Sequence, residues 1–413
     1  MDYLSPNSDI AVPPGPKKSW TLPRILIALL LTVLVFGGGV AVGRGDLHLK
    51  GLSLSKTTTS QAAFDYNSVD QLYNLLKNNF DGSLDNEKLL DGIKTGLVNA
   101  ADDPYTQYFN PEDAKLFNEE LTGSFSGIGA ELGTDANNNI VIVAPLSGYP
   151  AEAAGLKPKD IISAIDGETT SGIGVDRAVR KIRGDVGTQV KLTVLRGSQP
   201  AFELTITRAQ ITIPSVSYSV EGVIGYLKIS QFTNDTLKLT KEAASDFKTK
   251  NIKGIILDLR SDPGGYLSGA VDISSLWLDK GKVVVAQKRG NQTLATEYAK
   301  GDASLKGLPT VVLINSGSAS ASEITAGALR DNGAATIVGE KSFGKGSIQQ
   351  VQSLPGGGEL KVTIARWFTP SGKNIDKQGI TPDIEVLISD DDQKAGRDPQ
   401  KDRATQILSA KIQ

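Results

Sequence analysis

The sequence predicts a multidomain α+β and α/β chain, and three observations carry that expectation. An uncharged apolar run stands near the N-terminus, followed over residues 66–120 by apolar residues at helical spacing. From residue 123 short β-rich runs take over, and near Ile211 they give way to strand–helix alternation. The expected order is an N-terminal transmembrane helix, a helical segment, a β domain and an α/β body. With 413 residues and 39% hydrophobic content the chain is long enough for two or three cores.

What is absent narrows the chemistry. A net charge of -2 leaves no electrostatic footprint for nucleic acid. There is no cysteine, which excludes disulfides, thiolate nucleophiles and Cys-ligated metals, and one histidine, His48, cannot build a multi-His metal site. No metal or cofactor is expected.

Taken in order, residues 1–24 are polar and Pro-rich and are expected to form a cytoplasmic tail. Residues 25–43, "ILIALLLTVLVFGGGVAVG", are nineteen without a charge, enough to cross a bilayer. Lys17, Lys18 and Arg24 precede them, so the positive-inside rule leaves the body extracytoplasmic. A cleaved signal peptide ending at "AVG" is the rival, giving a secreted or periplasmic protein; the length of the run favours a retained anchor in the cell membrane. Residues 44–63 are a polar linker and 64–122 a helical segment.

Residues 123–209 form the β block, with "IVIVAPL", "KDIISAIDG", "TQVKLTVLRG" and "AFELTITR" as strands. Over 210–388, "GVIGYLKIS", "KGIILDLR", "PTVVLINS" and "ATIVGE" are expected as strands, with "TKEAASDFKTK" and "SASEITAGALRDN" as helices. That alternation implies a mainly parallel, covered sheet. Residues 389–413 are charged and expected to be a loosely ordered tail.

Three glycine-rich turns follow strands of the α/β part: "LRSDPGG" (259–265), "NSGSASASE" (315–323) and "SFGKGS" (342–347). Loops at the carboxyl ends of such strands are where ligands gather. "GEKSFGKGS" (339–347) is close to a phosphate-binding loop, but Gly346 stands where a Ser or Thr must bind magnesium. The strand-like "SIQQVQSL" follows where that loop needs a helix, so the nucleotide reading fails. In the middle turn, spacing alone cannot rank Ser318, Ser320 and Ser322 as nucleophiles, and Ser320 with Glu323 also fits a capping box. A nucleophile needs a base, and with His48 beside the membrane a carboxylate or a lysine is left, Ser-Lys being a known variant of the pair. Lysine must lose about three pKa units to serve near neutrality, which burial can supply. Lys345, between two glycines and after Phe343, is such a lysine, with Ser347 and Gln349 on the same strand face. The residues alone lead to an extracytoplasmic acyl-transfer enzyme.

"NSGSASASEITAGALRDN", "KSFGKGSIQQ", "LDLRSDPGG" and "LKVTIARWFTPSG" together resemble the carboxyl-terminal processing (tail-specific) serine peptidases, over about residues 64–388. "DPYTQYF" and "GITPDIEV" fit the same family. The resemblance implies a PDZ domain inserted before an α/β protease core of ClpP/crotonase-like type, and a serine endopeptidase working through a Ser-Lys dyad. It assigns the nucleophile to Ser320, the base to Lys345 and a helper amide to Gln349. It places the oxyanion hole at the amides of Gly264 or Gly265 and of Ala321. The family loop usually carries N-N-P-G-G, and Ser261-Asp262 depart from it, so no role for those two side chains carries over. In the β block, "SFSGIGAEL" is similar to the PDZ segment that receives a peptide's terminal carboxylate, which makes Phe125, Gly127, Ile128 and Gly129 candidate contacts. Arg183 would report PDZ docking to the protease body, and Asp331 would fix a helix end. The implied partners are protein or peptide substrates with exposed C-termini and the membrane; a homo-oligomer is compatible with the sequence. A catalytically silent PDZ scaffold binding C-terminal tails is the alternative reading.

Overall fold

The computed structural model describes residues 64–412. The expected tail, transmembrane run and linker at 1–63 lie outside the described residues. Among the described residues no helix is long and apolar enough to cross a membrane. The chain divides into two compact units, Met1–Ser83 and Leu84–Gln413. In the first, the described residues form one helix, Tyr66–Asn79, capped by the Asp65 carboxylate.

The second unit opens with helix Asn86–Asn99, whose Asp85 cap accepts from the Glu87 and Lys88 amides. Helix Pro111–Thr122 is delimited from both ends. Asn110 caps it, Pro111 starts it with a preset φ, and Gly123 stops it in the left-handed conformation. Between them the helical expectation fails locally, because Gln107–Phe109 is a strand paired antiparallel with Glu359–Phe368. Aromatic and β-branched residues in "YTQYF" suit that edge better than a helix.

The β block is a small domain with its own core. Strands Ala130–Thr134, Ile140–Pro145, Ile161–Ile165, Gln189–Leu195 and Phe202–Thr207 form an antiparallel sheet. Alternation along Gln189–Leu195 buries Val190, Leu192 and Val194 against Ile140, Ile142, Ile162 and Ile206. Ser124–Gly127 pairs separately with Ala209–Thr212. Helix Val175–Ile182 lays Ala178 and Ile182 on the core.

The α/β body carries the covered, mainly parallel sheet that the alternation predicts. Its order is Val216–Glu221, Ile224–Ile229, Gly254–Asp258, Thr310–Ile314, Thr336–Gly339, Ile384–Glu385, and only the first pairing is antiparallel. Every residue of Gly254–Asp258 and Thr310–Ile314 is buried, as helices on both faces require. A second, antiparallel sheet joins Val283–Arg289, Gln292–Tyr298, Ser347–Ser353 and Glu359–Phe368.

The C-terminal segment departs from expectation. Instead of a loose charged tail it forms helices Asp390–Lys394 and Pro399–Ile412. Ala404 and Leu408 are fully buried with Ile256, Val311 and Leu313 of the sheet. The many charges hid this, because one narrow apolar stripe suffices to dock the helix. Arg260 locks it in place, bonding Asp258 Oδ2 at 2.6 Å and both oxygens of Asp398 at 2.9 and 2.8 Å. Both carboxylates hold the guanidinium charged, and the pair is nearly dry at Asp258. Replacing Arg260 with Leu leaves those carboxylates facing each other, and we expect a loss of about 3 kcal/mol in urea unfolding. A variant within 0.5 kcal/mol of the parent would show that the clamp contributes little.

Candidate active site

The three glycine-rich turns meet. The turn after Gly254–Asp258 brings Gly264 and Gly265 against the turn after Thr310–Ile314, which carries Ser320. A Cβ placed on Gly264 would lie 2.7 Å from Ser320 Cβ and 2.9 Å from the Ala321 nitrogen. One on Gly265 would lie 2.1 Å from the Phe232 carbonyl oxygen. Both glycines also have positive φ, 100° and 143°, so only glycine fits either position.

Ser320 is the N-cap of helix Ala321–Asp331, with φ 55° and ψ -113°. A serine held there is strained by roughly 1–3 kcal/mol, as is common where a side chain must be presented at a sharp strand-to-helix turn. The structure ranks the three serines that spacing could not. Ser318 Oγ donates to the Leu259 carbonyl at 2.7 Å and Ser322 Oγ to the Asp262 carbonyl at 3.0 Å, and both residues are buried. Of the three, Ser320 alone lines the large cavity.

Glu323, read from sequence only as a capping residue, joins the second turn to the third. Its Oε2 accepts from the Ser320 amide at 2.9 Å and the Lys345 amide at 3.0 Å. Its Oε1 accepts from the Gly344 amide at 2.7 Å and the Ser342 hydroxyl at 2.5 Å. Burial raises the Glu323 pKa, and these four donors oppose the rise. The nitrogens of the candidate nucleophile and the candidate base thus converge on one oxygen.

The Lys345 main chain is fixed again by Trp367, whose Nε1 donates to the Lys345 carbonyl at 2.8 Å. Its Nζ lies 5.4 Å from the Tyr105 ring centre and has no hydrogen-bond partner among the described residues. Burial lowers its pKa, and the attraction of Glu323 works against that. Lys361, also in the cavity wall, is lowered by burial and by the charge of Lys345.

Gln349 lies in strand Ser347–Ser353 after a bulge at Ile348. Its Nε2 donates to Ser347 Oγ at 2.8 Å and Thr363 Oγ1 at 3.2 Å, which turns the amide and leaves Oε1 as the free acceptor. Ser320, Lys345, Gln349 and Gly265 line one cavity of about 1360 Å³. Of the candidate oxyanion amides, Gly264 drops out, because its N–H donates to Asp262 Oδ1 at 2.8 Å. Gly265 and Ala321 have no such acceptor among the described residues.

The nucleotide reading is excluded by packing as well. Gly339, at φ 126°, is pressed to the Ile314 carbonyl, and Gly346 to the Asp376 backbone. These glycines serve close backbone contact, and a strand, not a helix, follows. Asp331 is the last residue of its helix, and its Oδ2 accepts the Ser371 amide at 3.0 Å, a tie to another segment rather than a cap on the helix itself.

In the β domain Phe125 and Arg183 also line the large cavity. The Arg183 guanidinium stacks 4.5 Å from the Phe125 ring centre and its Nη1 bonds Glu119 at 3.0 Å. Its expected docking contact is therefore made to helix Pro111–Thr122. Lys115–Asp185 at 2.7 Å reinforces that contact. Ile128 is 3% exposed and its side chain belongs to the domain core, which leaves its backbone as the part that can meet a peptide. Gly127 pairs with Ala209 on the neighbouring strand, and Gly129 turns the chain at φ 74°.

Tyr105, Glu323 and Trp367 were not singled out from sequence. Only Glu323 left a signal, its helix-capping spacing to Ser320. Replacing Glu323 with Gln turns an acceptor oxygen into an amino group facing two donors. We expect kcat/KM on a peptide substrate to fall about 100-fold with KM nearly constant, since the candidate nucleophile and candidate base lose register.

Three family profiles match the chain. Peptidase family S41 matches residues 223–386, the PDZ domain residues 116–195, and the activating protease CtpB N-terminal domain residues 41–113. The chain is 37% identical over 371 residues to a "Probable CtpA-like serine protease" of Staphylococcus aureus (strain COL), covering 89% of this chain and 73% of that protein. It is 35% identical over 366 residues to the carboxy-terminal processing protease CtpA of Bacillus subtilis (strain 168), covering 88% and 76%. A solved photosystem II D1 C-terminal processing protease is 28% identical, covers 78% of this chain and 87% of its own, and superposes with a TM-score of 0.48. With an S41 core, a PDZ domain and relatives of this identity over most of their length, the chain belongs to the CtpA-like carboxyl-terminal processing serine peptidases.

Proposed function

We propose that this peptidase works through a Ser320–Lys345 dyad, and that its PDZ domain delivers substrate C-termini to it. The observation that carries the reading is the Glu323 carboxylate, which holds the amides of both residues on one oxygen. Neutral Lys345 Nζ takes the Ser320 proton as Oγ attacks the peptide carbonyl. The Gly265 and Ala321 amides receive the developing oxyanion. The Lys345 ammonium then protonates the leaving amine, and water hydrolyses the acyl-enzyme with the lysine again as base. Gln349 Oε1 orients the amine between these steps. No metal or cofactor is required.

The substrate reading rests on the PDZ match and on a cavity lined by residues of both domains. A tail adds as a strand beside Ala130–Thr134, the edge strand of the domain's sheet, and its carboxylate meets the turn amides at Gly127 to Gly129. Residues 25–43 anchor the enzyme in the membrane with its body extracytoplasmic, as their length and the preceding positive charges support.

Three outcomes are expected. Ser320→Ala and Lys345→Arg each lower kcat on a peptide or casein substrate by about 1000-fold or more, the arginine because it stays charged. Full cleavage by either variant would remove the dyad. In the parent enzyme kcat/KM falls as pH drops through the lowered Lys345 pKa, because the protonated amine is no base. Amidating a peptide's C-terminus raises KM about 10-fold or more with kcat little changed, and an unchanged KM would exclude carboxylate capture.

A further inference from the structure

We propose that Asp262 is a positioning residue of the oxyanion loop and performs that role as an uncharged carboxylic acid. The inference rests on the reading above that Gly265 and Ala321 receive the oxyanion. Asp262 is fully buried, and three contacts tie it to the residues around Ser320. Its Oδ1 accepts the Gly264 amide at 2.8 Å, which orients the peptide next to Gly265. Its carbonyl accepts the Ala319 amide at 3.0 Å and the Ser322 hydroxyl at 3.0 Å, on either side of the nucleophile. The other carboxyl oxygen, Oδ2, is buried with no hydrogen-bond partner among the described residues.

A bare anionic oxygen in that position is far costlier than a neutral hydroxyl. No charge nearby offsets it. On the same loop Arg260 binds both Asp258, at the end of the preceding strand, and Asp398. On the following helix Asp272 pairs with Lys300. On the nucleophile helix Glu323 is engaged by its four donors, and Lys345 is drawn to Glu323. Desolvation accordingly raises the Asp262 pKa to about 7, against the Gly264 amide and the Ser322 hydroxyl.

The neutral acid still accepts from Gly264, so the loop keeps its shape. When the proton leaves for solvent, a buried negative charge appears one hydrogen bond from the peptide preceding Gly265. It repels a substrate oxygen becoming negative at that amide, and it favours the ammonium form of Lys345. Both effects slow acylation.

The test compares the full-length enzyme with Asp262→Asn, which keeps the acceptor and cannot ionise. The ratio of kcat/KM, variant to parent, on one peptide substrate is followed from about pH 6 to about pH 8.5. It should climb roughly 10-fold as the parent's Asp262 ionises. A ratio constant across pH, whether near one or uniformly low, overturns the proposal. A second measurement needs no activity and is made in a Ser320→Ala background. The folded pKa of about 7 exceeds the ordinary 3.8, so between those values the folded chain holds the extra proton. Stability to urea should therefore fall as pH rises from 3.8 to about 7 and then level, relative to the same protein with Asp262→Asn. Parallel stability curves overturn the proposal even if the variant is inactive. Full cleavage by Ser320→Ala would instead sink the dyad and leave the stability result standing.

Discussion

The proposed catalytic pair hangs on one buried carboxylate. Glu323 sits at the start of the helix that carries Ser320 and gathers donors from a loop twenty-odd positions further on. Four donors on two oxygens nearly exhaust what a carboxylate accepts, so the charge can stay buried despite its desolvation. The same geometry suits the proposed base, a lysine on a glycine-flanked turn. Gly344 must offer its amide to Glu323 while its Cα packs on the Gln378–Gly379 backbone, which no side chain would permit.

The electrostatics follow from the same packing. Lys345 lies beside a carboxylate yet is lowered, because burial outweighs the attraction of Glu323. Trp367 and Tyr105 supply that dryness from the second sheet and from the edge before helix Pro111–Thr122. An amine with a ring beside it and no hydrogen-bond partner is close to the condition a general base requires.

Much of the fold is legible in sequence because its periods are clean. Short, mostly apolar runs such as "GIILD" and "TVVLI" between turn residues read as central strands of a covered sheet, and the alternation in "QVKLTVL" gives one face of the β domain. Lys345 and the three serines were visible as candidates because cysteine and useful histidine are missing, although choosing Ser320 among them took the family resemblance or the coordinates. What stayed hidden depends on long-range contacts. The strand at Gln107–Phe109 exists only because Glu359–Phe368 arrives beside it, and the last helix only because its stripe finds the sheet. Likewise no local pattern says that Gly264's amide is taken and Gly265's is not; that is decided by how the Asp262 side chain folds back.

The clamp between Arg260 and Asp398 links residues 138 positions apart. Arg260 immediately precedes the turn that carries Gly264 and Gly265, so that turn is braced by a partner made much later during synthesis. While the polypeptide is still being extruded, Asp398 and Leu408 have not yet emerged, and the sheet has one bare flank beneath an untethered loop. The turn that carries the candidate oxyanion amides is thus braced only once the segment bearing Asp398 has docked on the sheet.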